Sequence, residues 1–251
     1  MSTINTRYFK GVISMSAIKM HGMDVSEWQE GIHWKNAKKD GVQFGMLRAG
    51  YGSAIMYPNQ YDKTFEQNYK WAKEAGVNVG AYWYSYASTA EQAKTEAESF
   101  IKALKGKQFE YPVAMDVEET CITTAAVKAF CQAMEDAGYY VMIYANLDYL
   151  NNRLDMSQLT QYDVWCADRS DSCGYSRAGI WQYTSDGSVN GINGRVDMNY
   201  AFLDYASVIK DAGLNGYSKS SDTSTEAEVQ KILDKLAHAK QDIADIEAMV
   251  K

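Results

Sequence analysis

Apolar runs of strand length alternate with amphipathic runs of helical spacing five times between residues 21 and 154. Residues 42–49 form one such apolar run, and residues 89–104 repeat apolar side chains every three to four positions. Three more apolar runs follow with little helical sequence between them, at 163–167, 180–183 and 196–200. Alternation of this kind predicts a parallel α/β arrangement. Eight strands within about 185 residues then predict a TIM-like barrel that lacks some of its outer helices.

The predicted strand ends carry polar and aromatic side chains. In a parallel barrel the carboxyl ends of the strands face one rim, and active sites form at that rim. The side chains near these ends are Asp24, Arg48, Tyr82, Tyr84, Asp116, Glu118, Tyr144 and Asp197. Their convergence predicts one pocket at this end of the barrel.

Two acids, Asp116 and Glu118, end the apolar run 112–115. Alternate residues of a strand point to the same face, so the two acids are expected to share a face with backbones roughly 6.6 Å apart. Two carboxylates this close do not ionise independently, and at least one pKa should be raised. Such a pair is the equipment of glycoside hydrolysis. Two solvated acids at a strand end are the alternative interpretation, and this stretch alone leaves it open.

Charge and motif content argue against several classes of function. The net charge of −7 provides no basic footprint for nucleic acid. No apolar run reaches the length of a membrane-spanning helix, and residues 1–20 do not resemble a secretory signal. No local spacing of His or Cys matches a metal site, so no metal or cofactor is expected. Free thiols are predicted for the four cysteines, with a Cys166–Cys173 bridge left open.

The two ends of the chain differ from the middle. Residues 1–20 are interpreted as an extension before the barrel, and residues 213–224 as a flexible linker. Residues 225–251 contain no Gly or Pro and space their apolar side chains alternately three and four apart, which predicts a coiled-coil helix. Such a helix needs a partner, so we expect self-association. A helix folded back onto the barrel, or a contact with another protein, remains the alternative.

Several motifs occur in an order that matches one family. The chain contains Gly-Met-Asp-Val-Ser-Glu-Trp-Gln at 22–29 and Pro-Val-Ala-Met-Asp-Val-Glu at 112–118. The other matching segments are 46–52, 80–86, 141–144, 180–185 and 191–199. With these motifs, residues 21–205 resemble glycoside hydrolase family 25, the lysozymes (N-acetylmuramidases) of phage endolysins and bacterial autolysins.

The resemblance implies a (β/α)5(β)3 barrel, placed here at residues 21–212, and cleavage of the β-1,4 bond between N-acetylmuramic acid and N-acetylglucosamine. The conserved acids of the family match Asp24, Asp116, Glu118 and Asp197. We expect Glu118 to be the general acid. Asp116 is expected either to attack as a nucleophile or to orient the acetamido group of the substrate, with retention favoured. Asp24 and Asp197, on the first and last strands, are expected to bind substrate and tune the central pair, unless they only hold the barrel seam.

The aromatic residues Tyr82, Tyr84, Tyr144 and Trp181 are expected to stack on sugars or shape the groove. Arg48 is expected either to bind substrate or to pair with Asp24 or Asp197. The large side chains of Trp28 and Trp165 are predicted to lie in the core.

The expected partner is peptidoglycan, with no nucleic acid and no membrane. We expect a phage endolysin that is made in the host cytoplasm without a signal peptide and acts at the cell wall after release. A non-catalytic wall-binding module and a virion-associated structural component remain the alternatives.

Overall fold

The computed structural model describes residues 20–219, which contain a closed barrel of eight strands joined in chain order. The strands are β1 (Met20–Val25), β2 (Phe44–Tyr51), β3 (Asn78–Tyr84), β4 (Val113–Asp116), β5 (Val141–Asn146), β6 (Asp163–Ala167), β7 (Ala178–Gly187) and β8 (Val196–Ala201). Strands β1 to β7 run parallel, whereas β8 is antiparallel to both β7 and β1. The predicted TIM-like (β/α)5(β)3 barrel is confirmed.

Helices cover the outside of the first part of the barrel. They are α1 (Trp34–Lys39), α2 (Phe65–Glu74), α3 (Ala90–Leu104) and α4 (Thr124–Asp136), with α5 (Tyr205–Ala212) after the last strand. After β5 the chain forms a π-helical turn, Tyr149–Arg153. Helix α3 begins at a capping box in which the Thr89 side chain accepts from the Gln92 backbone N–H. The apolar stripe of α3 is buried, as its spacing predicted.

Every second residue of each strand faces the barrel interior. These inward side chains are apolar at one end of the barrel and polar at the other. The inner apolar cluster contains Phe44, Met46, Ala114, Met142, Trp165 and Ile180. Two residues further along their strands, Met46, Ala114 and Ile180 are followed by Arg48, Asp116 and Gln182. The carboxyl end of the barrel is therefore the polar end.

Glycines inside the barrel make room for larger neighbours. A Cβ on Gly22 would stand 2.3 Å from the Phe44 ring, and one on Gly80 would stand 2.4 Å from Met46 Sδ. Because real Cβ atoms do not approach so closely, these two positions need glycine for Phe44 and Met46 to fill the interior.

The chain after α5 is packed against the barrel, which differs from the predicted linker at 213–224. Asn215 is fully buried at a positive φ of 54°. Its side chain accepts from the Tyr140 N–H at 2.7 Å and donates to the Tyr111 carbonyl at 2.8 Å. The Tyr217 hydroxyl donates to Glu110. These bonds satisfy buried backbone groups, so residues 213–217 complete the barrel instead of leaving it.

Several predicted features lie outside the described residues: the extension up to residue 19, the end of the predicted linker from 220, and the 225–251 helix. Between residues 20 and 219, no helix is long and apolar enough to cross a membrane. The four cysteines are free thiols in this part of the chain, with Cys121 exposed and the other three buried.

Candidate active site

A polar cavity of about 190 Å³ opens at the carboxyl end of the barrel. It is lined by the four predicted acids, by four residues predicted to bind substrate, and by neighbours from the same rim: Asp24, Asp116, Glu118, Asp197, Arg48, Tyr82, Tyr84, Tyr144, Val25, Ser26, Trp28, Gln29, Trp165 and Gln182. The convergence expected from the strand ends is thus present, whereas Trp181, the remaining residue expected to bind substrate, does not line the cavity.

Asp24 is the most heavily bonded acid of the cavity. Its Oδ2 accepts from Gln182 Nε2 at 3.0 Å and from Asn199 Nδ2 at 2.8 Å. It stands opposite Asp197 across the β1–β8 seam, and the two carboxyl groups share a hydrogen bond. Burial, together with the charge of Asp197, raises the pKa of Asp24 to about 7. One proton is therefore retained in this carboxyl pair below about pH 7.

Asp116 ends β4 and is buried. Burial raises the pKa of its carboxyl well above the usual range, and the charges of Glu118 and Asp24 act in the same direction. Its Oδ1 receives no hydrogen bond from any described residue. A buried carboxyl oxygen without a donor is costly, so this atom is set to accept a bond from a bound molecule.

Glu118 lies two residues beyond Asp116, outside the strand, with an exposed side chain that lines the cavity. The Tyr149 hydroxyl donates to the Glu118 carbonyl at 2.6 Å and holds its backbone. Partial burial raises the pKa of Glu118, whereas a hydrogen bond from Tyr144 lowers it, and the charge of Asp197 raises it again. The acid is thus fixed by its backbone, while its carboxyl group is accessible.

Arg48 pairs with neither of the acids that we considered for it. Its Nη2 contacts Glu27 Oε1 at 2.8 Å and its Nε contacts Asp62 Oδ2 at 2.8 Å. Both partners come from loops, and Asp62 also accepts from the Glu27 backbone N–H. Arg48 lines the cavity, but two carboxylates already neutralise its charge.

The tyrosines predicted to bind substrate form one wall and the floor of the cavity. Tyr82 and Tyr144 pack edge-on against Trp165, with ring centroids 5.9 and 4.6 Å away. Tyr84 is half-buried and donates to Glu119 Oε1 at 2.9 Å. Trp165 is buried as predicted, and it also forms part of the cavity floor.

Trp181, one of the four aromatic residues expected to stack on sugars or shape the groove, does not line the cavity, because its side chain points away from it. Its neighbours Ile180 and Gln182 face the barrel interior, so Trp181 faces outward. There its Nε1 donates to the Asp168 carbonyl at 2.5 Å, and its ring packs near Tyr200.

The prediction that Trp28 lies in the core is also wrong. Trp28 is 80% exposed and lines the cavity. It follows β1 in a loop in which the Ser26 N–H donates to the Gln29 side chain and the Trp28 N–H donates to the Ser26 hydroxyl. An exposed indole beside a polar cavity is a surface on which a sugar ring can stack.

The sequence reasoning missed four residues that support these groups: Gln182, Asn199, Asp62 and Tyr149. Asn199 is fully buried and accepts from Trp165 Nε1 at 2.7 Å while it donates to Asp24. The strand period contained a signal for two of them, because Asn199 and Gln182 lie two residues from Asp197 and Ile180. Within residues 20–219, no cluster of three or more His, Cys, Asp or Glu side chains has the geometry of a metal site.

Comparison with known proteins places this arrangement among the lysozymes. Residues 23–192 match the family described as glycosyl hydrolases family 25. The chain is 31% identical over 195 residues to YegX of Escherichia coli O157:H7, covering 72% of this chain and 68% of the relative. It is 28% identical over 211 residues to the autolytic lysozyme of Clostridium acetobutylicum, covering 78% and 61%. The crystal structure of the CTP1L endolysin matches with a TM-score of 0.68 at 26% identity, over 75% of this chain and 70% of that one.

Proposed function

The chain belongs to glycosyl hydrolase family 25, a family of peptidoglycan-degrading lysozymes, and we propose that it cleaves the β-1,4 bond between N-acetylmuramic acid and N-acetylglucosamine. The observation that carries this proposal is the pair of unequal carboxyl groups in one cavity. Asp116 is buried and lacks a donor for Oδ1, whereas Glu118 is exposed at the mouth. Two carboxyl groups in different environments can take different roles in glycoside hydrolysis.

Glu118 is the proton donor in this proposal. Its raised pKa favours the protonated form, and the Tyr149 bond to its carbonyl holds the residue beside the cavity. The proton passes to the glycosidic oxygen as the bond from this oxygen to the anomeric carbon breaks, so the leaving sugar departs as a neutral alcohol. In the second half of the reaction the Glu118 carboxylate accepts a proton from the attacking water.

Asp116 orients the substrate rather than attacking it. Its strongly raised pKa makes the carboxyl a poor nucleophile, yet the free Oδ1 can accept the N–H of a 2-acetamido group. The carbonyl oxygen of that acetamido group then attacks the anomeric carbon and forms a cyclic oxazolinium ion. Water opens this ring from the face that the leaving group occupied, so the configuration at the anomeric carbon is retained.

Asp24 and Asp197 maintain the charge balance of the cavity. The bonds of Asp24 to Gln182 and Asn199 fix its carboxyl, and the proton retained in the Asp24–Asp197 pair limits the negative charge beside Asp116. Tyr82, Tyr144 and the exposed Trp28 provide the aromatic surface of the sugar groove.

The decisive experiment compares wild type with Glu118→Gln on purified Gram-positive cell walls and identifies the new reducing ends. We expect muramic acid ends from the wild type and a loss of kcat of at least about 100-fold in the variant, because a positioned acid contributes that much. Glu119→Gln is the matched control, since the neighbouring carboxylate is bonded to Tyr84 and does not line the cavity.

Other outcomes would refute specific parts of the mechanism. N-acetylglucosamine ends would identify a different bond. Activity that survives in Glu118→Gln would put the proton donor on another residue. Anomers of inverted configuration, resolved by NMR early in the reaction, would exclude the participation of the acetamido group.

For the biological role, we propose a phage endolysin that acts on the cell wall after release from the host cytoplasm. The similarity to the CTP1L endolysin supports this role. Expression in a Gram-positive host should leave cells intact until a holin is co-expressed. Lysis without the holin would contradict release-dependent action.

A further inference from the structure

A short loop after β6 is fixed beside the cavity mouth. It follows directly on the strand whose Trp165 lines the cavity floor. Asp168 holds the loop: its Oδ1 accepts from the Ser170 N–H at 3.1 Å and the hydroxyl at 2.6 Å, and its Oδ2 accepts from the Gly174 N–H at 2.8 Å. The indole N–H of Trp181 donates to the Asp168 carbonyl. The backbone on both sides of residue 169 is therefore anchored.

Arg169 stands on this anchored turn with an exposed side chain. Burial raises the pKa of Glu118 and of Asp197, and the positive charge of Arg169 opposes this rise at both carboxyl groups. Strands β4, β5 and β6 pair in parallel, so Arg169, two residues beyond the end of β6, stands at the same rim as Glu118, two residues beyond the end of β4.

The donors of this guanidinium have no acceptor among the described residues. Among residues 20–219, the Arg169 side chain makes no ion pair within 4.0 Å and no hydrogen bond. Arg48, the cation that lines the cavity, is already bound by Glu27 and Asp62. Arg169 thus offers a positive charge at the mouth of a cavity whose other free charges are acidic.

We propose that Arg169 binds a carboxylate of the glycan substrate and is a specificity-determining residue of this site; the proposal rests on the proposed function. The planar fork of a guanidinium matches a carboxylate with two parallel hydrogen bonds. Without this cation, an anionic substrate would meet the acids of the cavity and an Arg48 whose charge Glu27 and Asp62 already neutralise. Peptidoglycan offers such a carboxylate in two places: on the lactyl group of muramic acid, where no peptide is attached, and on the stem peptide.

Binding without turnover tests the role of Arg169. The parent protein is Glu118→Gln, and Kd is measured by tryptophan fluorescence with three soluble glycan preparations. The first carries intact stem peptides, the second is stripped by an amidase so that only lactyl carboxylates remain, and the third has its carboxylates capped with glycinamide. Arg169→Ala and Arg169→Lys are compared with Arg177→Ala, an exposed loop arginine whose loss changes the net charge equally.

We expect Arg169→Ala to raise the Kd of at least one carboxylate-bearing preparation about fivefold, the upper range for an exposed ion pair. The preparation that responds identifies the source of the carboxylate. For the capped glycan, the parent protein and Arg169→Ala should have the same Kd. For the glycan that responds, the Kd of Arg169→Lys should lie between those of the parent and Arg169→Ala. Arg177→Ala should change each Kd less than twofold.

An equal rise for all three preparations, or no rise for any, would overturn the proposal. The proposal would also be overturned if the Kd values did not change while the acid limb of the pH profile of kcat shifted in the Arg169→Ala single variant. Arg169 would then act on the Glu118 carboxyl group instead. If the wild type released no muramic acid ends, the proposed function would fail, while the Kd ratios would still decide whether Arg169 binds a carboxylate.

Discussion

Replacement of Asp24 by Asn should change the pH dependence of stability in a defined direction. The asparagine side chain fits the existing bonds: its Oδ1 can accept from Gln182 and Asn199, and its Nδ2 can donate to Asp197. The substitution therefore keeps the shape of the network and removes one titrating proton.

The expected magnitude follows from the pKa of Asp24, which is about 7 in the folded protein against an ordinary value of 3.8. Between these values the folded state holds a proton that the unfolded state has released, so stability falls as the pH rises through this window. From pH 5 to pH 7 the change is about 2 kcal/mol, slightly less than two units at about 1.4 kcal/mol each because the carboxyl is half titrated at pH 7. Above about pH 8 the contribution of Asp24 is constant.

Urea unfolding at pH 5, 6, 7 and 8 measures this contribution. The free energy of unfolding of Asp24→Asn minus that of the wild type should grow by about 2 kcal/mol from pH 5 to pH 7 and level off by about pH 8. The difference reports the proton that the Asp24–Asp197 pair retains, because Asp197 shares a hydrogen bond with residue 24 and responds to the substitution. The exposed Asp211→Asn, at the opposite end of the barrel, is the control and should show no such growth. A difference that does not vary with pH would refute the idea that Asp24 retains its proton.

Two further predictions concern residues that the sequence did not assign to the site. Tyr149→Phe removes the hydrogen bond to the Glu118 carbonyl. It should lower kcat about fivefold, the equivalent of about 1 kcal/mol, and leave KM unchanged. An unaltered kcat would mean that this bond does not position the acid. Trp28→Ala should raise KM for cell-wall fragments about fivefold without altering the urea midpoint, since the indole is exposed; a drop in the midpoint with KM unchanged would assign Trp28 a packing role instead.

The strand pattern predicted much of the fold. Every second residue of a strand faces inward, and polar side chains stand at the ends of the apolar runs. Asp24 and Asp197 were expected to be neighbours once the barrel was assumed to close, and the register pairs them directly. The outward direction of Trp181 was not evident from the sequence, because Ile180-Trp-Gln-Tyr183 has apolar or aromatic residues on both faces, and β7 is irregular against β8 just after Gln182. The prediction that Trp28 lies in the core was wrong because a loop has no periodicity that could indicate whether a large apolar side chain is exposed.

Contacts between distant loops were beyond the sequence pattern. Arg48 is held by Glu27 and Asp62, which precede and follow it on separate loops, and no local spacing predicts that pairing. Asn215 lies in a stretch whose Gly, Ser and Lys content suggested a linker. The structure buries it because the Tyr111 carbonyl and the Tyr140 N–H at the barrel base need partners.

The antiparallel seam between β1 and β8 has a consequence for the timing of synthesis. Asp24 is synthesised before its partners Gln182 and Asn199, which follow 158 and 175 residues later. Contacts of such long range form late, and the barrel cannot close before β8 has emerged from the ribosome. A nascent chain that stops before β8 therefore lacks the assembled carboxyl network, so lytic capacity would arise only after β8 has been synthesised.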